Sequence, residues 1–187
     1  MKKTIDTLRT VSKAGRIISK VIFILCIVGF ALCAAGILCL ALIPDGLKIG
    51  GLTVRGIVET KAELSVGTCF AAMAVGTVFS AGSAVIAKMS EIYFTHELEA
   101  GTPFTFDGAK ELMRLGIFYL CVGVATSGAA GIVYSVIKAV FKDVAEMKTG
   151  YSFSLFTGAL IIIMSLLCRL GAEAAEQRSE NTEQMPQ

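Results

Sequence analysis

Charge is missing from four long stretches of this chain, and that absence says most about it. Residues 21–43, 64–87, 115–137 and 149–168 contain no Asp, Glu, Lys, Arg or His over 23, 24, 23 and 20 positions. About 20 apolar residues suffice for a helix to cross the ~30 Å hydrocarbon layer, so each stretch is long enough to span. In lipid the backbone must satisfy its own polar groups, which favours helices for runs of this length. Coupled transporters place ionisable residues inside their spans, so this gap disfavours ion- or proton-coupled transport. A passive pore lined by Ser, Thr and Gly is left open.

Other absences remove most chemistry. Histidine occurs once, at His96, and no Cys-x-x-Cys is present, so clustered metal ligands are lacking. The six cysteines (Cys26, Cys33, Cys39, Cys69, Cys121, Cys168) lie in or at the edges of the apolar runs, which argues against a secreted-type disulfide framework. They read as small buried hydrophobes. There is no nucleotide-binding loop and no Gly-x-Ser-x-Gly elbow. The nearest acid–base grouping is His96 with Glu97, Glu99 and Asp107, which reads as a solvated loop cluster. The expectation is no enzyme, no catalytic residues, no cofactor and no metal. A net charge of +2 without a basic aromatic groove excludes direct nucleic-acid contact.

What is present is apolar: 55% hydrophobic residues, 17% charged and a mean hydropathy of +0.73. The expected fold class is an all-α four-transmembrane-helix bundle with a small external β-hairpin and an inner-side interfacial helix. Residues 1–20 form a basic amphipathic segment, 21–178 the membrane domain and 179–187 a disordered tail. With the N-terminus inside, eleven basic residues fall on the inner side and six on the outer. Both termini are therefore expected in the cytoplasm. The first run exceeds the 7–15 residues of a signal-peptide core, so it reads as a retained span.

Arg9, Lys13, Arg16 and Lys20 share one helical face, with Leu8, Val11, Ala14 and Ile18 opposite. Such a segment either lies on an anionic leaflet, at about 1 kcal/mol per basic residue, or extends the first span. Across Gly50 and Gly51, residues 47–49 and 52–55 alternate as a hairpin would, with Ile57 and Val58 extending it. Ala72, Gly76, Ser80 and Ala84 recur at intervals of four in the second span, and Gly123, Ser127, Gly131 and Ser135 in the third. Small residues at such spacing let helix backbones approach, so both stripes read as packing seams inside the bundle. They permit a homo-oligomer without requiring one. Thr105 reads as an N-cap with Asp107 in the first turn, although Gly108 leaves the capping box incomplete. Tyr93, Phe94, Phe104 and Phe106 are candidates for an inner aromatic belt, and Phe141, Tyr151 and Phe153 for an outer one.

The stretch Gly101, Thr102, Pro103, Phe104, Thr105, Phe106, Asp107, followed by Leu112, Leu115 and Gly116, resembles the signature of a bacterial family. Ser152–Leu155 and Gly171 resemble it as well, and the match in span order covers about residues 15–178. The family comprises small four-helix integral membrane proteins known as domain of unknown function 2975. Asp107 and Gly108 stand where its pattern has Glu and Asn, and the Leu-Gln expected after the last span is absent. The resemblance implies a multi-pass protein of the bacterial inner membrane, often associated with a small helix-turn-helix regulator, and no established activity.

Two functions remain as expectations. The first is an interaction or regulatory module that meets a protein partner at its cytoplasmic face, using Gly101, Pro103, Phe104, Thr105 and Asp107. The alternative is a small transporter, channel or lipid- or small-molecule-binding bundle that uses the small-residue grooves as a cavity. The bilayer itself is the other partner.

Overall fold

A computed structural model describes residues 2–42, 48–49, 52–53, 66–100, 105–141, 144–147 and 152–183. Four helices make the fold: α1 (Lys2–Leu42), α2 (Val66–Ala100), α3 (Phe106–Val140) and α4 (Ser152–Glu183). All four are long and apolar enough to cross a membrane. Their lengths of 41, 35, 35 and 32 residues correspond to roughly 48–62 Å at about 1.5 Å per residue, well beyond a ~30 Å hydrocarbon layer. No proline occurs within the bounds of α1, α2, α3 or α4. Nothing in the helix interiors removes a backbone donor.

Two parts of the expected architecture are corrected. The fold is all-α, and the external β-hairpin is not an element of it. Between α1 and α2 the described residues retain only a two-residue antiparallel pairing, Lys48 with Thr53 and Ile49 with Leu52. Two residues a side offer no face to bury, and a two-stranded ribbon alone is marginal in water. Ile57 and Val58, read as its extension, lie outside the described residues. Nor is there, among the described residues, a separate inner-side interfacial helix. The basic segment continues unbroken into the first span as α1, and the Thr105-capped helix continues unbroken as α3. Neither junction contains a proline, so each amphipathic lead-in propagates into the run behind it. At the other end, α4 extends to Glu183, into the segment read as a disordered tail.

The helices pack through small residues spaced by seven. On α3, Ala109, Gly116, Gly123, Ala130 and Ile137 are all buried, Ala130 completely. On α4, Gly158, Ser165 and Ala172 repeat the device. On α1, Ser12, Ser19, Cys26 and Cys33 form one such row, and Gly15, Gly29 and Gly36 lie beside it. Seven residues return a helix to within about 20° of its starting azimuth, so such a row stays on one face of its own helix.

The chain divides into two compact units. One comprises Met1–Ile22, Ile86–Val122 and Ser152–Gln187. There, Gly15 of α1 lies against the Phe94 ring of α2, where an added methyl would come within 2.7 Å. Gly116 and Gly158 bring α3 and α4 together so closely that a methyl on Gly116 would lie 3.1 Å from the Ile162 nitrogen and 3.2 Å from the Gly158 oxygen. On either side of Gly116 this crossing is held further: one turn on, Leu120 fills the space over Gly158, and two turns back the buried Ser165 hydroxyl donates to the Ala109 carbonyl at 2.7 Å. Interhelical bonds of this kind are worth about 0.6 kcal/mol in membrane proteins, with a ceiling near ~1.7.

The other unit comprises Phe23–Val85 and Gly123–Tyr151. Gly29 meets Ser80, Gly76 meets Cys33 and Gly36 meets Met73, so α1 and α2 run antiparallel through their small faces. Gly82 accommodates Thr126 of α3 at a distance no side chain would allow. The segment after α3 folds back: Phe141 packs on Phe70 at 5.7 Å, and the Ala145 amide donates to Thr68 Oγ1 at 2.9 Å. The Tyr134 hydroxyl donates to the Ala145 carbonyl at 3.0 Å.

Large apolar side chains turn outward, among them Ile24, Leu25 and Leu32 of α1, Ile132 of α3 and Leu160 and Leu167 of α4. In water that arrangement would be costly. In lipid it is the expected one, because the tails are as apolar as leucine and packing is won by small residues. The same logic extends to residues 9–20. Val11, Ala14 and Ile18 are exposed, and the buried positions are Ser12 and Ser19. Arg9, Lys13, Arg16 and Lys20 are exposed, as expected of a basic face.

Candidate functional site

Titratable side chains converge where α2 ends and α3 begins. Thr105 starts α3: its Oγ1 accepts from the Gly108 amide at 3.0 Å and its carbonyl from the Ala109 amide at 2.9 Å. Asp107 sits exposed in the first turn, where a negative charge complements the helix dipole. One turn on, Glu111 reaches across to α2, and its carboxylate oxygens lie 3.1 and 3.3 Å from His96 Nδ1. Both partners are about half exposed. Behind them, Tyr93 is buried with its ring 5.5 Å from that of Phe94. Ser90 donates to the Ile86 carbonyl at 3.0 Å, which leaves its oxygen to accept from the Tyr119 hydroxyl, also at 3.0 Å.

Three groups here lie beyond the uncharged run 64–87 and have shifted acidities. Burial pushes the Tyr93 phenol up, and the Glu97 charge adds to the shift. Burial also raises Glu97, against the opposing pull of its hydrogen bond with Ser12. Glu91 is held low by its hydrogen bond from Lys88, at 2.9 Å.

The raised Glu97 value gives a testable sign. Folding favours its neutral form, so this contribution to stability is full below the ordinary carboxylate pKa and is lost as pH rises through the folded value. Glu97→Gln is therefore expected to unfold at a higher temperature than the parent at neutral pH. The difference should close as the pH falls below the ordinary value. A thermal-unfolding series against pH in detergent reads both the sign and the closure.

Two cavities adjoin this cluster. The larger, about 280 Å³, lies between α2 and α3 and is walled by Met89, Ile92, Tyr93, Leu115 and Phe118, with His96, Glu111 and Arg114 at its polar side. The smaller, about 100 Å³, is lined by Tyr93, His96, Glu97, Thr105, Asp107 and Glu111, with Gly108 completing it. Among the described residues no group of three His, Cys, Asp or Glu could hold a metal.

Of the inner-loop motif, Gly101, Pro103 and Phe104 lie outside the described residues, while Thr105 caps α3 and Asp107 faces outward. His96 pairs with Glu111 rather than with its sequence neighbours Glu97 and Glu99. That partnership was missed because the two residues stand on different helices. Their place on either side of a shared break, His96 five residues before Gly101 and Glu111 eight after Pro103, is the signal that could have found it.

The stripes at intervals of four are only partly seams. Gly76, Ser80 and Ala84 pack inward, but Ala72 is exposed. On α3, Gly123 is buried, Ser127 and Gly131 are half-buried and Ser135 is exposed. Each step of four turns a helix by about 40°, so such a row winds off the interface within three steps. The aromatic belt is likewise corrected. Tyr93, Phe94 and Phe141 pack within the protein, Phe106 alone of the described candidates is exposed, and Phe104, Tyr151 and the Phe153 side chain lie outside the described residues.

No protein-family model, no curated protein and no solved structure matches this chain.

Proposed function

We propose that this is a non-enzymatic protein of the bacterial inner membrane, with both termini cytoplasmic, acting as an interaction or regulatory module. The family whose inner-loop signature it resembles fits that reading. The observation that carries it is the closure of the helix seams. Gly82, Gly116 and Gly158 each sit where one added methyl would collide with the neighbouring helix. Seams packed to that degree favour a closed bundle over one that carries a transport groove.

The ionisable groups are elsewhere. Arg9, Lys13, Arg16 and Lys20 on α1, the His96–Glu111 pair, Asp107, Lys110 and Arg114 are all accessible at least in part. A protein partner of mixed charge is the natural counterpart of such a surface, and the positive-inside asymmetry favours the cytoplasmic side for it.

A photo-crosslinking residue at Asp107, in native membranes, tests this. A discrete protein adduct is expected there and not from the same residue at Ile132, on the outward apolar face. Charge reversal at Lys110 and Arg114 should weaken it while leaving the protein monodisperse. The absence of any adduct at position 107, or equal adducts at both positions, would count against the module.

A further inference from the structure

The larger cavity between α2 and α3 has the form of a site for one end of an amphiphile, and its charges say which. Its walls are apolar: Met89, Ile92, Leu115 and Phe118, with the buried Tyr93 as the floor. It straddles a chemical boundary. Lys88 ends the uncharged run of α2 one residue before Met89, and Arg114 precedes the uncharged run of α3 one residue before Leu115. Polar and apolar therefore meet within a single cavity, at the level where a bilayer's headgroups meet its chains.

The polar side is mixed in sign. Glu111 carries a carboxylate whose oxygens face His96 at 3.1 and 3.3 Å and which stays 40% exposed. Arg114, three residues later on α3, lines the same cavity and is exposed, and among the described residues no carboxylate pairs with it. Residues three apart on a helix share a face. One turn of α3 thus offers a cation and an anion side by side.

We propose that this cavity binds one diacyl phospholipid with a phosphoethanolamine headgroup, part of an acyl chain lying between α2 and α3. Arg114 takes the phosphate, for which a guanidinium fork is matched in shape and charge. Glu111 takes the ammonium, which brings three N–H donors to oxygens that His96 leaves partly free. A purely anionic headgroup would set its charge against Glu111. A quaternary ammonium has no N–H to give. Basic pockets at the polar ends of spanning helices are an established way of holding lipid headgroups, and here a neighbouring carboxylate narrows the choice to a zwitterion.

The test is native mass spectrometry of the detergent-purified protein. It is mixed with equal amounts of phosphoethanolamine, phosphocholine and phosphoglycerol lipids bearing identical chains. The expected result is a several-fold excess of phosphoethanolamine adducts. Glu111→Gln should abolish the preference over phosphocholine, and Arg114→Gln should reduce retention of all three. Excess free phosphoethanolamine without acyl chains should displace little. Equal retention of the three lipids, an excess of phosphoglycerol, or displacement by the chain-free headgroup would overturn the proposal. So would a preference that survives Glu111→Gln. The lipid order on the parent protein decides the matter even if a variant fails to fold, and it is independent of whether a protein partner is found.

Discussion

Replacement of Gly116 by leucine is expected to unseat α4 from α3, while the same replacement at Gly128 leaves the protein intact. At Gly116 the first added carbon would lie 2.7 Å from Ile162 Cγ1, 3.1 Å from the Ile162 nitrogen and 3.2 Å from the Gly158 oxygen. The side chain of Ile162 could swing aside, but two of the three neighbours are backbone and cannot yield without moving the helix. Inserting bulk into a packed site costs about 1–3 kcal/mol, and this crossing belongs at the upper end. The Ser165–Ala109 bond, two turns away along α3, would be lost with it. At Gly128 nothing lies within 4 Å of the added carbon. Leucine there meets open space that lipid fills as readily. Size-exclusion profiles and unfolding temperatures of the two variants, taken side by side, give the comparison. Equal behaviour would mean that the α3–α4 crossing is not where these contacts put it.

The second large effect concerns two adjacent residues. Ala130→Phe is expected to cost roughly 1–3 kcal/mol, and Ala129→Phe almost nothing. Ala130 is completely buried and belongs to the row at intervals of seven on α3, whereas Ala129 is exposed. Both substitutions make the same change in volume and in helix propensity at the same depth. Only the azimuth differs, by about 100°. Chemical denaturation in mild detergent should separate the pair clearly, and matching midpoints would speak against the row.

Much of this fold is legible from residues. The four uncharged runs mark the four helices, and the Thr105 cap is readable from its place after Gly101 and Pro103. The packing is less so, for a reason that Ser135 makes plain. Gly123, Ser127, Gly131 and Ser135 look like a continuous groove on paper. A row at intervals of four turns steadily, and by Ser135 it has reached the open side of the helix. The row that holds its face, Ala109 to Ile137, mixes Ala, Gly and Ile and so does not announce itself by composition. On α1 the apolar residues of the amphipathic segment invite the same error. Aqueous intuition buries Val11 and Ile18, but a helix destined for lipid buries Ser12 and Ser19 and leaves the large side chains outside. The candidate site was legible only in its members. His96 and Glu111 are both visible in the sequence, yet their pairing depends on how α2 and α3 return past one another.

The measurement that bears most directly on this account is a spin-label scan of α3 in liposomes, one labelled cysteine at a time in a background freed of the native six. Access of molecular oxygen, which concentrates in lipid, should be low at Gly123, Ala130 and Ile137 and high at Val124, Gly128, Ile132 and Ser135. A water-soluble relaxant should reach none of residues 118–134. Minima at positions 123, 127, 131 and 135 would contradict the seven-residue seams, and water access along that stretch would contradict a membrane-spanning α3.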